Sequence, residues 1–167
     1  MSMTLVLGLG NQLLGDEGVG VHAAEELLSG RLPSDVVVLD VGTAVLDALP
    51  AMEVAQRIVV VDAVRANQAP GTVYRVPFDE MRHPQVIGSV HGFDLSRVLA
   101  LSGRADVPEV VVIGVEPESI DWSLELSPPV REAMPAVLEA VLAEVGAPGP
   151  APPTRAEGLN EHREVVT

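Results

Sequence analysis

Apolar positions come in short unbroken runs that alternate with stretches of helical spacing. Thr4-Leu5-Val6-Leu7-Gly8 opens the chain as a strand-like run, and a helical stretch from about Val19 to Leu28 follows the carboxylates Asp16 and Glu17. Val36-Val37-Val38-Leu39-Asp40 and Ile58-Val59-Val60-Val61-Asp62 are two more such runs, each ending on Asp, with helical spacing around Val45 to Met52 between them. Runs without polar alternation suit strands buried on both faces, the situation of a parallel sheet covered by helices. Strands alternating with helices predict a layered α/β domain.

Beyond Pro70-Gly71 the β-branched run Thr72-Val73-Tyr74-Arg75-Val76 predicts a short antiparallel edge strand. The stretch from Pro77 to Gly92 holds two prolines and two glycines without periodicity and reads as a long functional loop carrying His83 and His91. A helix is expected from Phe93 to Leu101, and a buried strand over Val110-Val111-Val112-Ile113-Gly114. Val130, Met134, Val137, Leu138, Val141, Leu142 and Val145 recur at helical spacing, with Pro135 marking a kink or a second start. From Ala147 onward the prolines and polar residues predict a tail without structure, so the domain is expected over 1–146 and the tail over 147–167.

Composition narrows this outline. The 167 residues suit one domain, and with only Phe78, Phe93, Tyr74 and Trp122 aromatic the core must be built from Val, Leu, Ile and Ala. A formal net charge of −14 repels phosphate backbones and anionic lipid, which argues against nucleic acid as a partner. The absence of cysteine removes disulfides, thiolate metal sites and a cysteine nucleophile. No apolar run approaches the roughly 20 residues needed to cross a bilayer, and the chain opens on a strand instead of a signal core, so no membrane insertion and a cytoplasmic location are expected.

The segment Gly8-Leu9-Gly10-Asn11-Gln12-Leu13-Leu14-Gly15-Asp16-Glu17-Gly18 begins like a dinucleotide fingerprint but lacks its third glycine, since Leu13 occupies that place. Asp16 and Glu17 would moreover repel a pyrophosphate. Asp40 could imitate the ribose-binding acid, so a nucleotide-binding oxidoreductase stays open as an alternative. In open α/β sheets the strand ends share a crevice, which brings Glu17, Asp40, Asp62 and the loop residue His91 toward one edge. Carboxylates and an imidazole are suitable ligands for zinc or nickel. Each residue also has a plainer role: Asp16 as the cap of the first helix, Glu17 as a first-turn acid, Asp40 and Asp62 as strand terminators, and His91 as a surface or hydrogen-bonded residue. His22, His83 and His162 are assigned to structure or solvent.

The whole pattern resembles the hydrogenase maturation proteases, which process the large subunit of nickel–iron hydrogenases. Gly8-x-Gly10-Asn11-x-Leu13-x-x-Asp16-Glu17-x-x-Gly20-Val21 is similar to that family's opening motif, Val60-Val61-Asp62-Ala63 to its second metal-binding segment, and Ser89-Val90-His91 followed by Leu95 to its third. Asp40-Val41-Gly42-Thr43, Gly114-Val115-x-Pro117-Glu118-Ser119 and Leu126-Ser127-Pro128 extend the match over about the first 145 residues. Val41 and Val45 depart from it, standing where family members often have glycine.

The resemblance implies a three-layer α/β sandwich with a mostly parallel five-stranded sheet, in an order close to 2-1-3-5-4 with one antiparallel edge strand. It implies an endopeptidase that cuts the carboxyl-terminal extension from a hydrogenase large-subunit precursor once nickel is inserted. Glu17, Asp62 and His91 would contact that nickel, which the substrate contributes, with cadmium or zinc able to replace it. With no cysteine and no Gly-x-Ser-x-Gly elbow, water is the expected nucleophile, and Glu17, Asp62 or Asp40 the group accepting its proton. A non-catalytic protein that holds the nickel-loaded subunit as a checkpoint would use the same ligands.

Overall fold

The computed structural model describes residues 2–82, 91–146 and 164–166. Strands β1 (Thr4–Leu9), β2 (Val36–Gly42), β3 (Arg57–Ala63), β4 (Val73–Pro77), β5 (Glu109–Val115) and β6 (Glu164–Val166) form one sheet in the order β2-β1-β3-β5-β4-β6. The expected five-strand order is therefore present, with β1, β2, β3 and β5 parallel and β4 antiparallel to β5. Helices α1 (Val19–Ser29) and α4 (Pro128–Glu144) cover one face, and α2 (Leu49–Val54) and α3 (Gly92–Leu101) cover the other.

Strict alternation along the central strands builds the two cores. Val59 and Val61 of β3 join Val6, Val111 and Ile113 in the core under α1 and α4. Ile58 and Val60 join Leu5, Leu7 and Val112 in the core under α2 and α3. Both faces of β3 are thus apolar, which is why its sequence shows a run and no polar alternation. Buried Val, Leu and Ala predominate in both cores, with Tyr74 the largest fully buried side chain.

Two differences from expectation have local causes. Helix α4 runs continuously through Pro135, so the second start expected as one alternative near Met134 is absent, and it carries Pro128 and Pro129 in its first turn, where proline costs little. Near its end, the Glu144 carboxylate takes hydrogen bonds from both Arg57 and Arg75, fastening the helix to the sheet. The second concerns the segment read as a structureless tail: Glu164–Val166 lies antiparallel on β4, pairing Val73 with Val166 and Arg75 with Glu164. A composition argument overlooks this because three residues, two of them β-branched, suffice to pair with an open strand edge. The intervening residues 147–163, with His162, and His83 lie outside the described residues.

Candidate active site

The site is assembled where β1 and β3 end. Gly10 has φ 129°, and a Cβ there would lie 1.8 Å from the carbonyl oxygen of Glu17. Only glycine permits that approach, so the backbone carrying Glu17 folds down onto the end of β1. Gly20 does the same one turn on, where a Cβ would meet the carbonyls of Leu9 and Val61 at 2.2 Å. The glycines that imitate a dinucleotide motif therefore seat a carboxylate beside the sheet. Leu13, in place of the missing third glycine, is half-exposed, and α1 starts only at Val19, so the tight strand-to-helix turn of a dinucleotide site is absent here.

Asp62 continues the alternation of Ile58 and Val60 and so faces the α3 side of the sheet. His91 occupies the N-cap position of α3, and the amide of Leu95 donates to its carbonyl at 3.0 Å. The imidazole consequently reaches both carboxylates: His91 Nδ1 lies 3.3 Å from Asp62 Oδ1, and Nε2 lies 3.8 Å from Glu17 Oε1. Asp62 Oδ1 also accepts the amide of Ala63 at 2.9 Å. Asp62 and His91 are buried and the Glu17 side chain nearly so. The His91 pKa is raised above 6.5, chiefly by its hydrogen bond to Asp62, which outweighs the opposing effect of burial; the charges of Asp62, Glu17 and Asp94 add to the rise.

Two carboxylates and an imidazole have the donor chemistry of a zinc or nickel site. The arrangement is not a preformed one: among the described residues no three His, Asp or Glu side chains converge as a ligand set. The reason is visible in His91, whose two nitrogens point at different carboxylates. A protonated ring here is held as a cationic bridge, and an ion engaging this site must displace that proton.

Asp40 does not join the cluster. It registers beside Gly8, which in turn registers beside Val61, so it lies on the α1 face, opposite Asp62, and is exposed. Its candidacy rested on ending a strand, and strand parity decides otherwise.

Asp16 is also not the helix cap it resembled, for α1 has no side-chain cap. It is 1% exposed, and its carboxylate accepts the amides of Glu118 (2.8 Å), Ser119 (3.0 Å) and Ser127 (2.7 Å) and the Ser127 hydroxyl (2.7 Å). That explains why the Glu118-Ser119 and Ser127 segments accompany Asp16-Glu17 in the motif. A second buried acid, Glu116, was passed over in sequence. It accepts from the Tyr74 hydroxyl at 2.6 Å and the Ala66 amide at 2.8 Å, tying the segment after β3 to β4 and β5. The one sequence signal for it was a charge directly following an apolar strand.

Together these features define an α/β domain with an acid–imidazole cluster at the carboxyl ends of its parallel strands. The family model for hydrogenase maturation proteases matches residues 21–144. Hydrogenase expression/formation protein HupD of Bradyrhizobium diazoefficiens is 37% identical over 85% of this chain and 79% of its own. Hydrogenase 2 maturation protease of Escherichia coli is 36% identical over 83% and 88%. Among solved structures, the hydrogenase maturating endopeptidase HybD of E. coli superposes with a TM-score of 0.77 at 32% identity, covering 98% of this chain and 96% of that one. The chain belongs to the hydrogenase maturation protease family, and its enzyme class is endopeptidase. Among the described residues no helix is long and apolar enough to cross a membrane.

Proposed function

We propose that this protein removes the carboxyl-terminal extension of a nickel–iron hydrogenase large-subunit precursor after nickel insertion, reading the metal through Glu17, Asp62 and His91. The observation that carries the proposal is the meeting of these three side chains, brought from positions 17, 62 and 91 to contacts of 3.3 and 3.8 Å. One buried and one nearly buried carboxylate facing a single imidazole are only partly neutralised by it, and a divalent cation supplies the missing charge. Because the cation arrives on the substrate, cleavage is licensed only when the precursor is loaded. Cadmium or zinc replaces nickel in this role, since all three accept oxygen and nitrogen donors.

Water is the nucleophile in this reading. Glu17 and Asp62 are the candidates for its base, and the exposed place of Asp40 on the other face argues against it. Incubation of the protein with nickel-loaded and nickel-free precursor tests the proposal. A shortened large subunit from the loaded form alone supports it, whereas a lasting complex with intact precursor supports the checkpoint chaperone.

A further inference from the structure

Beside the acid–imidazole cluster the molecule holds four apolar side chains out in water: Leu13 is 49% exposed, Ile120 43%, Leu124 63%, and Trp122, the only tryptophan, 80%. They belong to two segments that are bound together. Ser123 donates its amide to the Leu13 carbonyl at 3.0 Å and accepts the Gly15 amide at 2.8 Å, while the Asp16 amide donates to the Ser119 carbonyl at 3.1 Å. The Asp16 carboxylate fastens both ends of the strap through Glu118, Ser119 and Ser127. Inside it, the Ser119 hydroxyl bonds Asp121 and the Ser123 hydroxyl bonds the Glu125 carbonyl. The exposure is therefore built in and is no consequence of a loose loop.

The strap is also continuous with the cluster. Leu14 bridges to Ser123 on one side, and its carbonyl accepts the amide of Glu17 on the other. The strap itself carries three acids, Glu118, Asp121 and Glu125, against one cation beside it, Arg131, which lies 3.5 Å from Glu125, in a chain whose net charge is −14. Such a face fits a protein surface with an apolar centre and basic surroundings.

We infer that Leu13, Ile120, Trp122 and Leu124 form a preorganised docking lip for the body of the precursor subunit, and that Asp16 sets its position relative to Glu17. The inference rests on the function proposed above and adds where the substrate is held while its extension is cut. An exposed, rigidly backed tryptophan is the residue type that dominates binding at interface centres.

The lip acts on binding and not on bond breaking. Trp122→Ala and Leu124→Ser are expected to raise KM for nickel-loaded precursor about tenfold or more while kcat stays within about twofold, as loss of an interface anchor does. Both side chains are largely exposed, so the melting temperature should not change. Val107→Ser removes an equally exposed apolar group just before β5, at the other end of the sheet, and leaves KM unchanged. With 5-fluorotryptophan at the single tryptophan position, the fluorine resonance shifts or broadens on addition of precursor, and does so less at high salt. KM unaltered in both variants, or a resonance unmoved by saturating precursor, overturns the lip. A resonance that moves although wild-type protein leaves the precursor intact upholds the lip and removes the cleavage reading instead.

Discussion

Asp16 and Glu17 are neighbours in sequence and opposites in circumstance. Asp16 is buried and well partnered, with one donor on Oδ1 and three on Oδ2 at 2.7 to 3.0 Å. Glu17 has the His91 ring at 3.8 Å, beyond hydrogen-bonding distance, and a side chain 14% exposed. A buried carboxylate that already accepts four hydrogen bonds has little capacity left for a ligand, whereas one that is nearly buried and weakly partnered keeps its capacity for a cation. The pair separates what positions the site from what can act in it, and substitution at each should fail differently.

The largest effect is expected at Glu17. Glu17→Gln keeps the size of the side chain and removes its charge, so as a first-turn acid it would cost only about 0.3–1 kcal/mol of stability. As a contact to the substrate's nickel, its loss should lower precursor cleavage by at least about a hundredfold, since even outer partners of metal ligands are worth 10–100-fold. Asp62→Asn should behave alike. Precursor cleavage and thermal melts read the two consequences separately, and wild-type cleavage by Glu17→Gln would remove Glu17 from the site.

Asp16 inverts that outcome. In Asp16→Asn either orientation of the amide presents its NH2 group to a donor, to Ser127 N on one side or to Glu118 N, Ser119 N and Ser127 Oγ on the other. Leaving buried donors facing each other should cost about 1–3 kcal/mol. For a domain of this size that lowers Tm by roughly 3–10 °C. Activity per folded molecule should fall less than in Glu17→Gln. A melt identical to wild type would mean that the strap does not depend on this carboxylate.

This contrast also marks what was legible in the sequence. Glu17 and Asp62 could be singled out through the resemblance of their segments to the family's metal-binding motifs, since by position alone Glu17 reads as a first-turn acid and an apolar run ends in Asp40 as well as in Asp62. The anchoring role of Asp16 could not, because its partners are mostly backbone amides more than a hundred residues away, and a backbone amide has no sequence signature. Asp40 was grouped with the cluster by its place at a strand end, although parity along Val36, Val38 and Asp40 assigns it to the other face once register is known. The order of the first five strands, parallel but for the edge strand β4, was expected from the resemblance, and the runs buried on both faces pointed to a parallel sheet. Strand β6 was not, since proline-rich composition describes the segment as a whole and misses a three-residue pairing within it.

A smaller effect follows from His91. Its raised pKa means that the imidazolium, held first by the hydrogen bond to Asp62, stabilises the fold. That contribution is fully present below the unfolded value of 6.5 and fades as pH rises through the higher folded value. The Tm difference between wild type and His91→Gln should therefore be largest below pH 6.5 and shrink as the pH rises above it. Binding of nickel or zinc, which competes with the same proton, should strengthen across that window. Opposite slopes in the two measurements separate the proton-held bridge from the ion-holding cluster, while parallel slopes would show that His91 does not couple them.

The smallest effect is expected far from both carboxylates, at the sheet edge. Deleting residues 147–167 removes β6 and uncovers the outer side of β4. Each backbone hydrogen bond lost is worth about 0.5–1.5 kcal/mol net. Ordering each residue of the strand costs a comparable 1–2 kcal/mol, so the two nearly cancel and stability should change by no more than about 1 kcal/mol. Cleavage should be unaffected, because β5 and β4 both lie between β6 and the strand that carries Asp62. Amide exchange distinguishes this local event from a global one: protection should fall along β4 alone, with β1 and β3 retaining theirs. If cleavage fell with β4 protection, the edge would have to communicate with the site through β5, whose Gly114 pairs with Asp62 and whose Val112 packs in the core shared with α3. The control is then Gly114, where a Cβ would press into Val64 at 2.7 Å. Gly114→Ala should disturb cleavage through that route, and should do so with the edge strand still in place.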